Sequence, residues 1–343
     1  MKKPVCLTLI LCLAVSLVYA GGGGDRGTRN RIVIYTSMYH NAVESLTRDL
    51  RRQFPRYNIE FVYSGTGIIQ SRIASEEQSG RLGCDIIMIA DPAYSIELKG
   101  KNMLHRYKSR EAENLAFDYD PDGYWYPVRV SNMVLAYNPE RTQRNNIPTS
   151  FYDFAHDTRV AGAVSVRNPL ISGTAMATAT AIRDKYGYAY YQALGRQRVK
   201  VDYGAEETMR RLENGESRVS MILEESILRQ RVMEGSKLEV IYPSDGTVMI
   251  PSPIMIINNR WSANRNIKAA EEIAEWFLSS EGQNAIVDSW MHSVRKDFPR
   301  LPQGARPTEE IRANSIPVLW DNVFKDKDDI HRSFEELIAA ANR

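Results

Sequence analysis

AVSVRNPLISGTAMATATAI, residues 163–182, decides how this chain is read. Val164 and Val166 alternate as in a buried strand. Asn168, Pro169 and Ser172-Gly173-Thr174 then punctuate the chain before small, helix-compatible residues begin. A strand that turns into a helix start presents free backbone N–H groups and hydroxyls at the positive end of a helix dipole, an arrangement suited to an anion. IEFVYSGTGIIQSRIASE, residues 59–76, repeats the design: a strand to Tyr63, then Ser64-Gly65-Thr66-Gly67, then Ile68, Ile69 and Ile73. Either loop alone could simply cap its helix. Two of them, about a hundred residues apart, suggest two lobes facing one ligand.

Around these loops the chain alternates apolar strands with amphipathic helices. RIVIYT leads into a helix carrying Val43, Leu46, Leu50 and Phe54, and CDIIMIAD is a continuous apolar strand ending at Asp91-Pro92. Continuous apolar strands covered on both faces predict an α/β fold with mainly parallel sheets. In such sheets ligands sit beyond the carboxyl ends of strands, where Ser37, Tyr39, His40, Ser64, Thr66 and Asp91 all fall. Two long extended runs, YPVRVSNMVLAYNPE and TVMIPSPIMIINN, separate the first strand-helix set from the second. They read either as crossing hinge strands or as ordinary core strands. A later strand, Val219 to Leu223, delivers Glu224 and Glu225 at its carboxyl end.

At 343 residues, 43% hydrophobic and 25% charged, the chain has globular composition and roughly two domains' length. Residues 1–20 read as a cleaved secretory signal: Lys2 and Lys3, an apolar core from Val5 to Val18, and a small-residue cleavage site at Ala20. Residues 21–29 form a flexible leader. Without Lys2 and Lys3, 42 basic residues face 42 acidic ones, so no nucleic-acid partner is expected. Only Cys84 lies beyond the signal, in an apolar setting, so no internal disulfide is expected.

No catalytic pattern stands out. G-x-S-x-G and H-E-x-x-H are absent, and the histidines at 40, 105, 156, 292 and 331 are scattered. The chain is therefore expected not to be an enzyme and to need no cofactor, with a secreted enzyme as the least favoured reading.

In order and spacing, IVIYTSMY, FVYSGTGII, CDIIMIADPAY, YPVRVSNMVLAYNPE, SVRNPLISGTA with MILEES, and VIYPSDGTVMIPSPIMI resemble periplasmic solute-binding proteins of ABC importers. The resembling branch is the ferric-ion-binding-like one, which includes relatives for sugar phosphates and phosphonates. The resemblance spans about residues 30–290. It implies a two-lobed periplasmic binding protein, each lobe a mainly parallel sheet flanked by helices, joined by two hinge strands. It also implies an ABC permease and its ATPase as partners, and a monomer is expected. Lobe 1 is assigned residues 30–130 with about 251–290, and lobe 2 residues 131–250 with C-terminal helices about 291–343.

Ferric binders of this branch usually place two tyrosines where Glu224 and Glu225 stand here. Tyr190 and Tyr191 lie on a helix well before that strand and do not replace them. The first expectation is therefore an organic phosphate or phosphonate such as a sugar phosphate. Ser37, Tyr39, Ser64, Thr66, Ser172, Gly173 and Thr174 would hold the anion with Arg129, and Asp91, Glu224 and Glu225 would meet hydroxyls or an ammonium at its other end. The alternative is ferric iron on Tyr39, His40, Asp91, Glu224 and Glu225, an oxygen-rich set suited to a hard cation. Each residue also has a plainer reading: His40 packs or caps, Arg129 bridges the hinge, and one glutamate pairs with Arg229 a helical turn on.

Overall fold

The computed structural model describes residues 30–341; the signal and leader readings for residues 1–29 lie outside them. Nine strands form one sheet: β1 (Arg31–Thr36), β2 (Asn58–Tyr63), β3 (Ile86–Met88), β4 (Trp125–Tyr137), β5 (Val164–Arg167), β6 (Lys200–Asp202), β7 (Val219–Leu223), β8 (Glu239–Ile241) and β9 (Val248–Ile256). Their order is β2-β1-β3-β9-β4-β7-β5-β6, with β8 beside β4. β2, β1 and β3 are parallel to one another, as are β7, β5 and β6. Between these sets β4 and β9 pair antiparallel from Trp125↔Met255 to Met133↔Val248. The two extended runs of the sequence are thus the crossing strands that join two lobes, and the α/β expectation holds.

The crossing pair is irregular at one place. Pro127 faces Pro253, and the register shifts between Pro127 and Arg129. Proline has no N–H to give a ladder, and an extra residue locally twists a strand and re-aims its side chains. Arg129, the residue just beyond the irregularity, lines the space between the lobes.

Each lobe has its own core. In the first, Ile32, Ile34, Leu46, Ile86, Ile273 and Phe277 are sealed from solvent; in the second, Phe151, Phe154, Val164, Val219 and Ile330 are. Fully burying side chains of this kind contributes roughly 1.5–3 kcal/mol each. The helix His40–Gln53 turns Ala42, Val43, Leu46 and Leu50 inward, the spacing read from the sequence. Two helices, Ile267–Leu278 and Ser280–Asp288, follow β9, and the Ser279 hydroxyl accepts from Gly282 N to start the second. Cys84 is fully buried.

The last helices reach across both lobes. Lys327–Ala341 packs on Gly173–Tyr186 and Ala189–Arg196, while Trp320–Lys325 packs on Pro92–Gly100 of the first lobe as well as on Gly173–Tyr186. Among the described residues no helix is long and apolar enough to cross a membrane.

Candidate functional site: a cleft at five helix starts

A cleft of about 310 Å³ opens between the lobes beside the crossing strands. Five helices begin at it: His40–Gln53, Thr66–Gln78, Gly173–Tyr186, Ala205–Asn214 and Glu224–Glu234. In four of them the N-cap residue (Tyr39, Gly65, Gly204, Leu223) makes no side-chain cap hydrogen bond. Only Ser172 caps its own helix, its hydroxyl accepting from Ala175 N at 3.3 Å. Each helix start carries about half a positive charge and unsatisfied N–H donors.

The two glycine loops meet. Gly67 N donates to Ile171 O at 3.2 Å. A Cβ on Gly67 would lie 2.4 Å from Leu170 O, and one on Gly173 would lie 2.4 Å from Ala90 O. Only glycine lets these backbones come so close. Ser64, Thr66, Ser172, Gly173 and Thr174 accordingly line one cleft, as do Ser37, Tyr39 and His40 from the turn after β1. His40 pairs with Glu44 at 3.0 Å and lies against the Tyr63 ring.

Arg129 forms the floor. It is 3% exposed, donating to the hydroxyls of Ser131 and Ser37 at 3.3 Å each, and its Nε is buried without a partner. Burial lowers its pKa to about 10, so the guanidinium stays charged at neutral pH. Glu225 lies beside it, 6% exposed, and accepts from the Ser131 hydroxyl at 2.7 Å. Burial raises the Glu225 carboxyl to about 7 against the opposing effects of Ser131 and Arg129, and Glu224 adds to the rise.

Two expected residues do not line the cleft. Asp91 is the N-cap of the helix Pro92–Gly100: it accepts from Tyr94 N at 3.3 Å and from Gln70 Nε2 at 2.6 Å. Asp followed by Pro at the first helical position is a cap signature, and here that is the role seen. Glu224 is 1% exposed and fully engaged, accepting from Asn132 Nδ2 at 2.6 Å, from His292 Nε2 at 2.9 Å and from the Tyr242 hydroxyl. Arg229 pairs with neither glutamate but loosely with Glu234, at 3.7 Å. Among the described residues no group of three or more His, Cys, Asp and Glu is placed to hold a metal ion. Tyr190 and Tyr191 are buried and donate to Phe151 O and Ala179 O, away from the cleft.

The structure adds cleft residues that the sequence reading missed. Arg167, at the end of β5, lines the cleft with a buried, unpartnered Nε, and Arg229 lines it one turn beyond Glu225. Ser226, whose buried hydroxyl has no partner, and Tyr203 complete this side. Arg167 could have been noticed as the last residue of a strand entering the Asn168 turn. Arg229 was placed one turn beyond Glu225 by its spacing, but as an ion-pair partner rather than as a cleft residue.

The chain belongs to the bacterial extracellular solute-binding protein family, whose profile matches residues 84–325. Its fold is that of solved periplasmic binding proteins. The substrate-binding protein of an ABC transporter from Agrobacterium tumefaciens is 17% identical, with a TM-score of 0.78 over 93% of this chain and 96% of that one. AfuA from Actinobacillus pleuropneumoniae, solved with fructose-6-phosphate, is 18% identical with a TM-score of 0.77 over 90% and 98%. Iron-bound HitA from Pseudomonas aeruginosa is 17% identical with a TM-score of 0.73 over 91% and 98%. No curated protein matches the chain.

Proposed function

We propose that this protein is the solute-binding component of an ABC import system and captures a phosphorylated or phosphonate organic anion, such as a sugar phosphate, between its lobes. The observation that carries the reading is the convergence of five helix starts, four without side-chain caps, on a cleft that also holds Arg129, Arg167 and Arg229. Against this positive set the cleft carries only Glu206 and Glu225 as acids. Oriented N–H groups and guanidinium forks match the oxygens of a phosphoryl group, and a tetrahedral oxyanion is held by several such donors at once.

Ligand would favour the closed arrangement, because only there do Ser64 to Thr66 from one lobe and Ser172 to Thr174 from the other reach the same molecule. The lobes are assigned residues 30–130 with about 251–290, and residues 131–250 with about 291–343. A periplasmic location, a permease with its ATPase as partners, and binding without catalysis complete the reading. Ferric iron has less support, since Asp91 caps a helix and Glu224 is spent on three donors.

Thermal-shift measurements on ligand-stripped protein test the reading, because a ligand that binds only the native state raises the melting temperature by mass action. Sugar phosphates, glycerophosphates and aminophosphonates are compared with Fe(III)-citrate. A rise with a phosphorylated or phosphonate solute is expected. A rise with iron alone sinks the anion reading.

A further inference from the structure

A continuous row of contacts runs from Glu225 to the glycine loops. The Glu225 carboxylate accepts from Ser131, Arg129 donates to both Ser131 and Ser37, and the Ser37 hydroxyl accepts from Ala90 N at 2.9 Å. The carbonyl oxygen of the same residue, Ala90 O, is the atom that a Cβ on Gly173 would meet at 2.4 Å, with the Thr66 hydroxyl oxygen 2.8 Å from the same point. An oxyanion held by the loops and Arg129 would therefore lie next to Glu225, the deeply buried carboxyl that lines the cleft.

An ionised carboxylate beside a bound oxyanion is a like-charge contact in a desolvated place, which disfavours having both charges. A proton between them turns the repulsion into a charge-assisted hydrogen bond. We propose that the protein captures its anion together with one proton, held between the Glu225 carboxyl and an oxygen of the ligand, so that binding is proton-coupled and Glu225 is a specificity residue for oxyanions. This rests on the anion reading of the cleft. The proton comes from solvent, and no bond other than the O–H is made or broken.

The neighbouring charges are consistent with that role. Arg129 faces Glu225 from β4 and favours its ionised form, whereas Glu224, on the same helix and bonded to His292, favours the neutral one. Arg229 lies one turn further along the helix, and Tyr39 approaches Arg129 from the turn after β1. Free Glu225 titrates at about 7, within reach of an ordinary assay. A bound anion raises that value further, so protons are taken up on binding. The sign follows: affinity is full below the free-state value and falls as pH rises through it.

Isothermal titration calorimetry on the full chain from pH 5.5 to 8.5 tests this. The probes are inorganic sulfate and glucose 6-sulfate, whose charge is fixed over the range, beside inorganic phosphate and glucose 6-phosphate. With a sulfate probe, affinity should fall by up to about tenfold per unit above pH 7. Titrations at pH 8 in two buffers of different ionisation enthalpy should show uptake approaching one proton per ligand. Glu225→Gln, which keeps an acceptor for Ser131, should bind sulfate with no such slope.

A flat profile, proton release, or a slope that survives in Glu225→Gln and so belongs to His40 or another group overturns the proposal while leaving anion capture standing. Failure of all four probes to bind at any pH overturns the anion reading and the proposal with it. The two-buffer measurement needs no variant, so a misfolded Glu225→Gln does not spare the proposal.

Discussion

Gly67 N and Ile171 O are joined by a hydrogen bond of 3.2 Å that ties the first glycine loop to the second. One partner belongs to the helix Thr66–Gln78 of the first lobe and the other to the turn after β5 of the second. The lobes therefore touch through backbone at the place where ligand would be enclosed.

Gly67→Ala should loosen that contact. Its Cβ would stand 2.4 Å from Leu170 O, a backbone atom that cannot swing aside. Alanine suits the helix itself, but the clash is with backbone, so the melting temperature should fall modestly as the contact between the loops opens. Closure should become harder, and the affinity of a bound sugar phosphate should fall by about tenfold, or about 1.4 kcal/mol. Calorimetry on the variant, with its thermal melt as control, checks both halves of this expectation.

Arg129→Ala should weaken phosphoryl binding on the order of a hundredfold, as when one partner of a desolvated, hydrogen-bonded charge pair is lost. Arg129→Lys should recover only part of it, since an ammonium cannot reach Ser131, Ser37 and ligand with one planar fork. Equal affinity in wild type and Arg129→Ala would remove Arg129 from the binding site.

Glu225 should make stability depend on pH even without ligand. Its folded pKa, about 7, lies above the ordinary 4.5, so the stability it contributes is complete below about 4.5 and lost as pH rises through 7. At pH 8 the ionised carboxylate should cost up to about 3 kcal/mol. Glu225→Gln should therefore melt above wild type at pH 8, with the gap closing towards pH 4.5. A gap independent of pH would contradict the buried-carboxyl account.

His292→Ala should be destabilising. Glu224 would lose one of its three donors in a fully buried place, and a buried acceptor left short of a partner costs about 1–3 kcal/mol. His292 Nδ1 also meets the Thr308 hydroxyl at 2.8 Å, so two bonds go at once. Urea unfolding should show a lower midpoint, and His292→Gln, with one amide donor, should restore part of it.

Much of this was legible in the sequence, for a physical reason. Buried strands and amphipathic helices announce themselves by periodicity, and the Ser64-Gly65-Thr66-Gly67 and Ser172-Gly173-Thr174 turns by residue type, because both signals are local. Val219 to Leu223 was read to the residue. What stayed hidden depends on pairing between distant segments. Nothing near Glu224 in the chain indicates that His292, Asn132 and Tyr242 will consume it. Arg167 counts as a cleft residue only because β5 lies between β6 and β7. Asp91 carries two local signals, its position beyond a strand and the Pro92 that marks it as a helix cap, and the structure shows the second in use.

The threading of β4 and β9 through the middle of the sheet also sets an order of assembly. β3 has β9 as its neighbour on one side, and Met291 and Ser289 close one wall of the cleft. A nascent chain that has been made only as far as residue 245 thus holds a first lobe with an open sheet edge and a cleft without that wall. Binding competence arrives late in assembly, when the last hundred residues come back to finish what the first hundred began.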